Sequence, residues 1–301
     1  MSERESLTSR QLPQMILSDG SPQSLTSPPP PMPHYLNSEG RAVARFAIEG
    51  NVVVTGGAGT LGLSAARALL EHGASGLCLW DLEDTLRFSQ TDVNGLAKDF
   101  PGSRVLAIAV DVTAADEVKD AVTNTVSVLG SINHLFCFAG IVGCFPAIDM
   151  LDTRWRKTID VNTTGSFLCA QAVAQQIVNQ GSGGGSITLT ASISAHRVNF
   201  PQPQVAYNVS KAAIVALKSS LAAEWAVHGI RVNSISPGYM DTVLNAGEGL
   251  DEARRSWANR NPMGRMGAVG ELDGMCVLLA SRAGSYINGA DMIIDGGATV
   301  F

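Results

Sequence analysis

The sequence predicts an α/β protein with one doubly wound, Rossmann-type domain: a seven-stranded parallel sheet with helices on both faces. Short apolar, β-branched runs alternate with longer stretches of helical spacing from Gly50 to the end of the chain. Strands of that kind belong to a parallel sheet covered on both sides. The glycines fall where strands hand over to helices, and the 31 present exceed the usual share of about 7%.

The expected strands are 51–55, 77–80, 105–110, 135–139, 186–190, 231–235 and 291–294. The expected helices are 61–72, 89–99, 114–129, 153–180, 205–228 and 271–281. Residues 1–45 differ in kind, with Ser-rich and Pro-rich stretches that include Ser27 to Pro33. Polyproline enters neither a helix nor a central strand. This segment is expected to be a mobile tail ahead of a domain spanning 46–301, with a short helix over 37–46. It has no apolar core of a secretory signal. Arg4 and Arg10 among Ser and Thr hint at a transit peptide, and Glu3, Glu5 and Asp19 oppose it.

Composition excludes several classes of function. Hydrophobic residues make up 45% and charged residues 16%, enough for a sizeable core, and the net charge is −6. No Lys/Arg run exceeds two residues, so no nucleic-acid partner is expected. No apolar run reaches about 18 residues, so no membrane span is expected, and the location expected is cytoplasmic. The five cysteines form no CxxC pair and lie in apolar segments, as reduced core cysteines do. The histidines are single and lack ligand spacing, so no metal is expected.

The first strand runs into Thr55-Gly56-Gly57-Ala58-Gly59-Thr60-Leu61-Gly62. Glycines here let the backbone turn and approach a pyrophosphate, and the helix that follows offers its N-terminal N–H groups. Gly56, Gly59, Thr60, Leu61 and Gly62 are the candidate contacts. Asp81 ends the second strand, 25 residues after Gly56, with Leu82 beside it. A carboxylate there accepts from both adenosine ribose hydroxyls and repels a 2′-phosphate. Glu83 and Asp84 add negative charge, and no base lies in the glycine turn or next to Asp81. These features favour NAD over NADP. Asp111 and Val112 follow the third strand and suit the adenine, although an Asp at that position also serves as a helix-start residue.

Tyr207 and Lys211 stand four apart at the start of an Ala-rich helix, on one face. A phenol with a pKa near 10 is a poor base at neutral pH, and a nearby ammonium lowers it. Tyr207 is then able to shuttle a hydroxyl proton. Ser192 follows a strand 15 residues before Tyr207, where such folds bind ligands, and it can hydrogen-bond the substrate oxygen. Ser194 and His196 share its loop.

In these residues the chain resembles the short-chain dehydrogenase/reductase family over about 46–301. The resemblance extends to Ala139-Gly140, Asn162 and Pro237-Gly238-Tyr239-Met240-Asp241-Thr242. It implies that Asn162, Ser192, Tyr207 and Lys211 are catalytic, with Asn162 ordering a water in a proton relay from Lys211. It implies that Ala139, Gly140, Tyr207, Lys211, Pro237, Gly238, Met240 and Thr242 contact the nicotinamide half of the cofactor. Two positions depart from the family pattern. Thr60 stands where Gly or Ala is usual, and Phe138 stands where Asn is usual, so contacts made by that Asn are lost or replaced.

The stretch 207–242, with 261–267, looks most like the fungal and yeast sugar-alcohol dehydrogenases of arabinitol, mannitol and sorbose type. The resemblance therefore implies a polyol/ketose substrate, and Asp81 places the chain with NAD-using, arabinitol-like members. The expected pocket holds Ser192, Ser194, His196, Tyr207, Tyr239 and the segment 243–262, with Arg197, Gln202 and Gln204 available for hydroxyls. Phe145, Met240 and Leu244 suit an apolar pocket equally, which keeps a ketoreductase of hydrophobic ketones open as the alternative. A catalytically silent NAD-binding scaffold is the more distant one. The family also implies a homotetramer or homodimer.

Overall fold

The computed structural model describes residues 11–242, 245 and 247–301. Its sheet has seven strands in the order β3-β2-β1-β4-β5-β6-β7. They are β1 (Asn51–Thr55), β2 (Gly76–Asp81), β3 (Arg104–Ala109), β4 (His134–Cys137), β5 (Gly185–Thr190), β6 (Ile230–Pro237) and β7 (Asp291–Ile294). Every pairing is parallel. The strand order reverses between β1 and β4, which opens a crevice at their C-terminal ends.

The helices are α1 (Ser38–Phe46), α2 (Thr60–Glu71), α3 (Glu83–Phe88), α4 (Gln90–Asp99), α5 (Ala115–Leu129), α6 (Asp152–Ile159), α7 (Ser166–Gln180), α8 (Val205–Trp225), α9 (Asp251–Asn259) and α10 (Asp273–Ala280). Alternate residues of one strand feed two cores. Val53, Cys78 and Trp80 pack with Val118, Ala121, Cys169 and Val173 of α5 and α7. Val52, Val54, Leu77 and Leu79 pack with Ala65, Leu69 and Val277 of α2 and α10. A sheet buried on both faces needs such continuous apolar strands.

The structure corrects four expectations. The fourth strand stops at Cys137 rather than 139, although Phe138 still donates its N–H to the Thr55 carbonyl at 2.9 Å. The single helix expected over 153–180 is interrupted by a π turn at Asp160–Gly165. Helices α3 and α9, both rich in charged residues, arise where none was expected. Of the cysteines, Cys78, Cys137, Cys169 and Cys276 are buried, but Cys144 is exposed.

Part of the N-terminal segment lies on the domain. The guanidinium of Arg282 donates to the carbonyl of Pro30. Helix α1 is capped by Asn37, whose side chain accepts from the Gly40 N–H, and it packs against 282–284 without burying a residue. Among the described residues no helix is long and apolar enough to cross a membrane.

Candidate active site

The crevice between β1 and β4 is shaped by glycines that have no alternative. Gly56 has φ +64°, and a Cβ there would sit 2.6 Å from the Ala139 nitrogen. A Cβ on Gly62 would collide with the Gly56 carbonyl. Gly59 is different: its Cβ would meet only the Gly56 carbonyl, at 3.3 Å, and it starts α2 without any side-chain cap. The first turn of α2, with Thr60 exposed at its head, therefore keeps its N–H groups clear of a competing side chain. The Thr60 departure lies on the open side of the turn. Phe138 replaces lost polar contacts with apolar ones: its ring stacks on Phe136, centroids 6.4 Å apart, and joins the α2-side core.

Asp81 is tied to this turn. Its Oδ2 accepts from the Ala58 N–H at 3.0 Å and its Oδ1 from the Leu82 N–H at 2.8 Å. The nearby base, Arg87, is paired with Glu83 at 3.0 Å and Asp84 at 3.6 Å. Asp111 Oδ1 accepts from the Thr113 N–H and hydroxyl at 2.9 and 2.7 Å, as a turn residue does, which leaves its other oxygen for a ligand. Val112 is buried against Gly165, where a Cβ would come 2.7 Å from its methyl.

The π turn carries Asn162 inward, a recurrent use of this deformation. Fully buried, Asn162 accepts from the Ile141 N–H at 2.8 Å and donates to the Ile141 carbonyl and the Ser210 hydroxyl, both at 2.9 Å. It thus joins the loop after β4 to α8. A Cβ on Gly140 would lie 3.3 Å from Asn162 Oδ1 and 3.7 Å from Lys211 Nζ. Gly140, Asn162 and Lys211 therefore line one cradle.

Lys211 is buried, and its ammonium donates to the Thr190 carbonyl at 2.7 Å, 5.6 Å from the centroid of the Tyr207 ring. Burial lowers its pKa to about 8, against a smaller opposing effect of Cys137. Tyr207 differs from the expectation. Burial of the phenol raises it to about 12, Ser192 lowers it through a hydrogen bond, and Tyr239 raises it. Desolvation of the phenolate is the largest of these effects, so at neutral pH Tyr207 keeps its proton. Ser192 is buried, with Ser194 at 3.1 Å.

Beyond Ser194 the wall is made of amides. Gln204 Nε2 donates to the Ser194 hydroxyl at 3.4 Å, and Gln202 Nε2 donates to Gln204 Oε1 at 3.2 Å and to the Tyr239 hydroxyl at 2.9 Å. Asn199 Nδ2 donates to the same hydroxyl at 2.7 Å. The Tyr239 ring stacks on Trp257 of α9, centroids 4.2 Å apart, and Trp257 donates to Gln202 Oε1 at 3.1 Å.

Other expected residues go elsewhere. His196, expected at the substrate, places Nε2 on Asp291 at 2.8 Å, because Asp291 with Ser236 at the ends of β7 and β6 offers it a polar seat. Arg197 is drawn to the Ala298 carbonyl. Met240 is buried on Gly267, and Phe145 is capped by the Arg154 guanidinium at 3.9 Å from its ring centroid. Phe145 is also bridged through its backbone to Gln204 of the polar wall. Gly238 lies against Asp295 after the buried Pro237, where a Cβ would approach within 2.9 Å, and Thr242 is buried. Val243 and Leu244 lie outside the described residues.

Sequence reasoning passed over Asn199 and reached Trp257 only as an unnamed part of the segment 243–262. A signal was available for the first: the run Asn199 to Gln204 places three amides in the spacer between Ser192 and Tyr207. Nothing local marks Trp257 within that segment; its place comes from its stacking on Tyr239 and its hydrogen bond to Gln202.

The family model described as enoyl-(acyl carrier protein) reductase matches residues 56–299. The NADP-dependent mannitol dehydrogenase of Hypocrea jecorina is 38% identical over 89% of this chain and 99% of its own length. The ribulose-forming D-arabinitol 2-dehydrogenase of Candida tropicalis is 35% identical over 85% of this chain and 94% of its own. A solved short-chain dehydrogenase/reductase of Mycobacterium marinum superposes with a TM-score of 0.80 at 39% identity, covering 85% of this chain and 98% of that one. With this crevice, this strand order and these relatives, the chain belongs to the short-chain dehydrogenase/reductase family.

Proposed function

We propose that the chain is an NAD(H)-dependent oxidoreductase that interconverts a secondary alcohol and a ketone, with a polyol/ketose pair of arabinitol type as substrate. The observation that carries the substrate class is the wall beside Tyr207: Ser194, Asn199, Gln202, Gln204 and Tyr239 join in one network of hydroxyls and amides. A surface of donors and acceptors suits a molecule with several hydroxyls and penalises an apolar ketone, which leaves those groups unpaired. Relatives named for mannitol, arabinitol and galactitol support the same class.

The residues fit a dinucleotide, since the uncapped start of α2 and the Gly140 cradle leave room where a side chain would intrude. The backbone of Gly59 to Gly62 would hold the pyrophosphate, Asp81 with Leu82 beside it the adenosine ribose, Asp111 and Val112 the adenine. Ala139, Gly140, Lys211 and the 237–242 turn would hold the nicotinamide half. The cofactor, when bound, accepts or supplies hydride. The chain's own groups handle the proton: Ser192 orients the substrate oxygen, Tyr207 gives or takes the proton at its phenol, and Lys211, held with Asn162 against Gly140, sets the charge behind it.

NAD is preferred in this reading although several relatives carry NADP in their names. Asp81, Glu83 and Asp84 crowd the position of a 2′-phosphate, and Arg87 is already paired. The family resemblance supports a cytoplasmic homotetramer, which light scattering of the purified protein would test. Oxidation of arabinitol, mannitol and galactitol with NAD⁺ and NADP⁺ tests the function. Turnover confined to hydrophobic ketones would refute the substrate class, and better use of NADP⁺ would refute the cofactor.

A further inference from the structure

The Tyr239 hydroxyl receives two N–H donors, Asn199 Nδ2 at 2.7 Å and Gln202 Nε2 at 2.9 Å. Both acceptor sites of the oxygen are then used, and its own proton is left to be given. Beside it, Asn199 Oδ1 is a buried acceptor with no protein partner. Turning the Asn199 amide over does not remove the mismatch. Tyr239 would then donate to Oδ1, and the amide N–H₂ would be the buried group left over. In the arrangement the structure shows, a free donor on Tyr239 stands beside a free acceptor on Asn199, a gap that a hydroxyl closes by giving one hydrogen bond and accepting another. A ketone or carboxylate only accepts, and a methylene does neither.

The position is not the reacting carbon, which belongs beside Ser192 and Tyr207. It is joined to that place through Gln202, Gln204 and Ser194. It is roofed by Trp257, 7% exposed, which stacks on Tyr239 with 5° between the rings and donates to Gln202. A ligand reaching it must lift the indole.

We propose that Asn199 and Tyr239 form a second hydroxyl subsite, remote from the reacting carbon and covered by Trp257, that reads a distal hydroxyl of the substrate. This deepens the polyol reading and rests on it for the identity of the substrate.

The test compares D-arabinitol with 2-pentanol, which lacks the distal hydroxyls, using the full-length enzyme and NAD⁺. In the wild type kcat/KM should favour the pentitol. In Asn199→Leu the pentitol-to-pentanol ratio of kcat/KM should fall on the order of 10-fold or more, mainly through the KM of the pentitol. Tyr239→Phe, which removes one oxygen and keeps the stacked ring, should move the ratio the same way and guards against a misfolded Leu variant. A ratio unchanged in a folded variant overturns the subsite while leaving the polyol function standing. Should the wild type oxidise neither alcohol, the functional reading falls alone. The subsite is then judged by tryptophan fluorescence: a change on adding the pentitol that disappears in both Trp257→Phe and Asn199→Leu supports it, and no change overturns it.

Discussion

The ammonium of Lys211 donates to the Thr190 carbonyl at 2.7 Å, at the C-terminal end of β5. That bond fixes a buried cation in the wall of the crevice, 5.6 Å from the Tyr207 ring centroid. The two groups are perturbed in opposite senses by the same cause. Burial pushes the phenol up to about 12 and the ammonium down to about 8, since each loses the water that favoured its charged form. Near pH 7 both groups therefore carry their protons, and that of Tyr207 is ready to be given to a ketone oxygen.

Tyr207→Phe should lower kcat in both directions by about 10²–10⁴-fold with little change in cofactor affinity, read by steady-state kinetics and cofactor binding. The pH dependence carries the sign. Reduction of a ketone uses the protonated phenol with the Lys211 cation behind it and should hold near pH 7 and decline as the ammonium loses its proton above about 8. Oxidation of an alcohol needs Tyr207 to accept a proton and should keep rising with pH from about 7 to 9. The apparent pKa belongs to the Tyr207–Lys211 unit rather than to either residue. Near-normal turnover in Tyr207→Phe would remove it from the mechanism.

Lys211→Met should abolish most turnover and yet leave the protein at least as stable. The folded-state pKa of about 8 lies below the ordinary 10.5, so the unfolded chain binds more protons between those values. Stability then rises with pH through that window, and the cost of burying the cation is fully present below it. The difference corresponds to about 3 kcal/mol, offset in part by loss of the Thr190 hydrogen bond. The melting temperature of Lys211→Met at pH 7 should match or exceed the wild type, and its advantage should shrink by pH 9.5. A fall of many degrees at pH 7 would show that packing, not charge, dominates this position.

The strands were legible because each is a short apolar or β-branched run, and the inner ones, β1, β2, β4, β5 and β6, are buried along most of their length. Tyr207, Lys211 and Ser192 were legible because their spacing is local. The π turn was not: Asp160 to Gly165 are weak helix formers without a proline to mark a break, and the deformation accompanies Asn162 reaching Ile141 and Ser210. The direction of the Tyr207 shift was not, because burial is a property of the whole crevice. The contact of His196 with Asp291 was not legible for a similar reason: the two lie 95 residues apart in the chain.

Asp81→Ala combined with Leu82→Arg should shift cofactor preference toward NADP(H). Asp81 spends one lone pair each on Ala58 and Leu82 and keeps its charge at the turn, where it repels a phosphate. Removing that charge alone should weaken NAD use by about tenfold or more, as loss of a charged hydrogen bond does. The added arginine should then raise kcat/KM with NADP⁺. Unchanged preference in the double variant would assign the choice of cofactor to other residues.

Removal of residues 1–36 should leave folding and turnover nearly intact. All seven strands lie within Asn51–Ile294, and no residue of the described tail ahead of α1 is buried. The truncation keeps Asn37, whose side chain caps α1 through the Gly40 N–H. It gives up the Arg282 contact with the Pro30 carbonyl and the approach of Leu25 to Gly229, where a Cβ would come within 3.0 Å. An exposed hydrogen bond to an arginine is worth about 1 kcal/mol or less, small against the 5–15 kcal/mol or so that holds a typical domain. Thermal unfolding and specific activity of the truncated protein check this. A drop of more than a few degrees, or a change in oligomeric mass, would show that the tail seals the 229 and 282 region or a neighbouring subunit rather than lying on the surface.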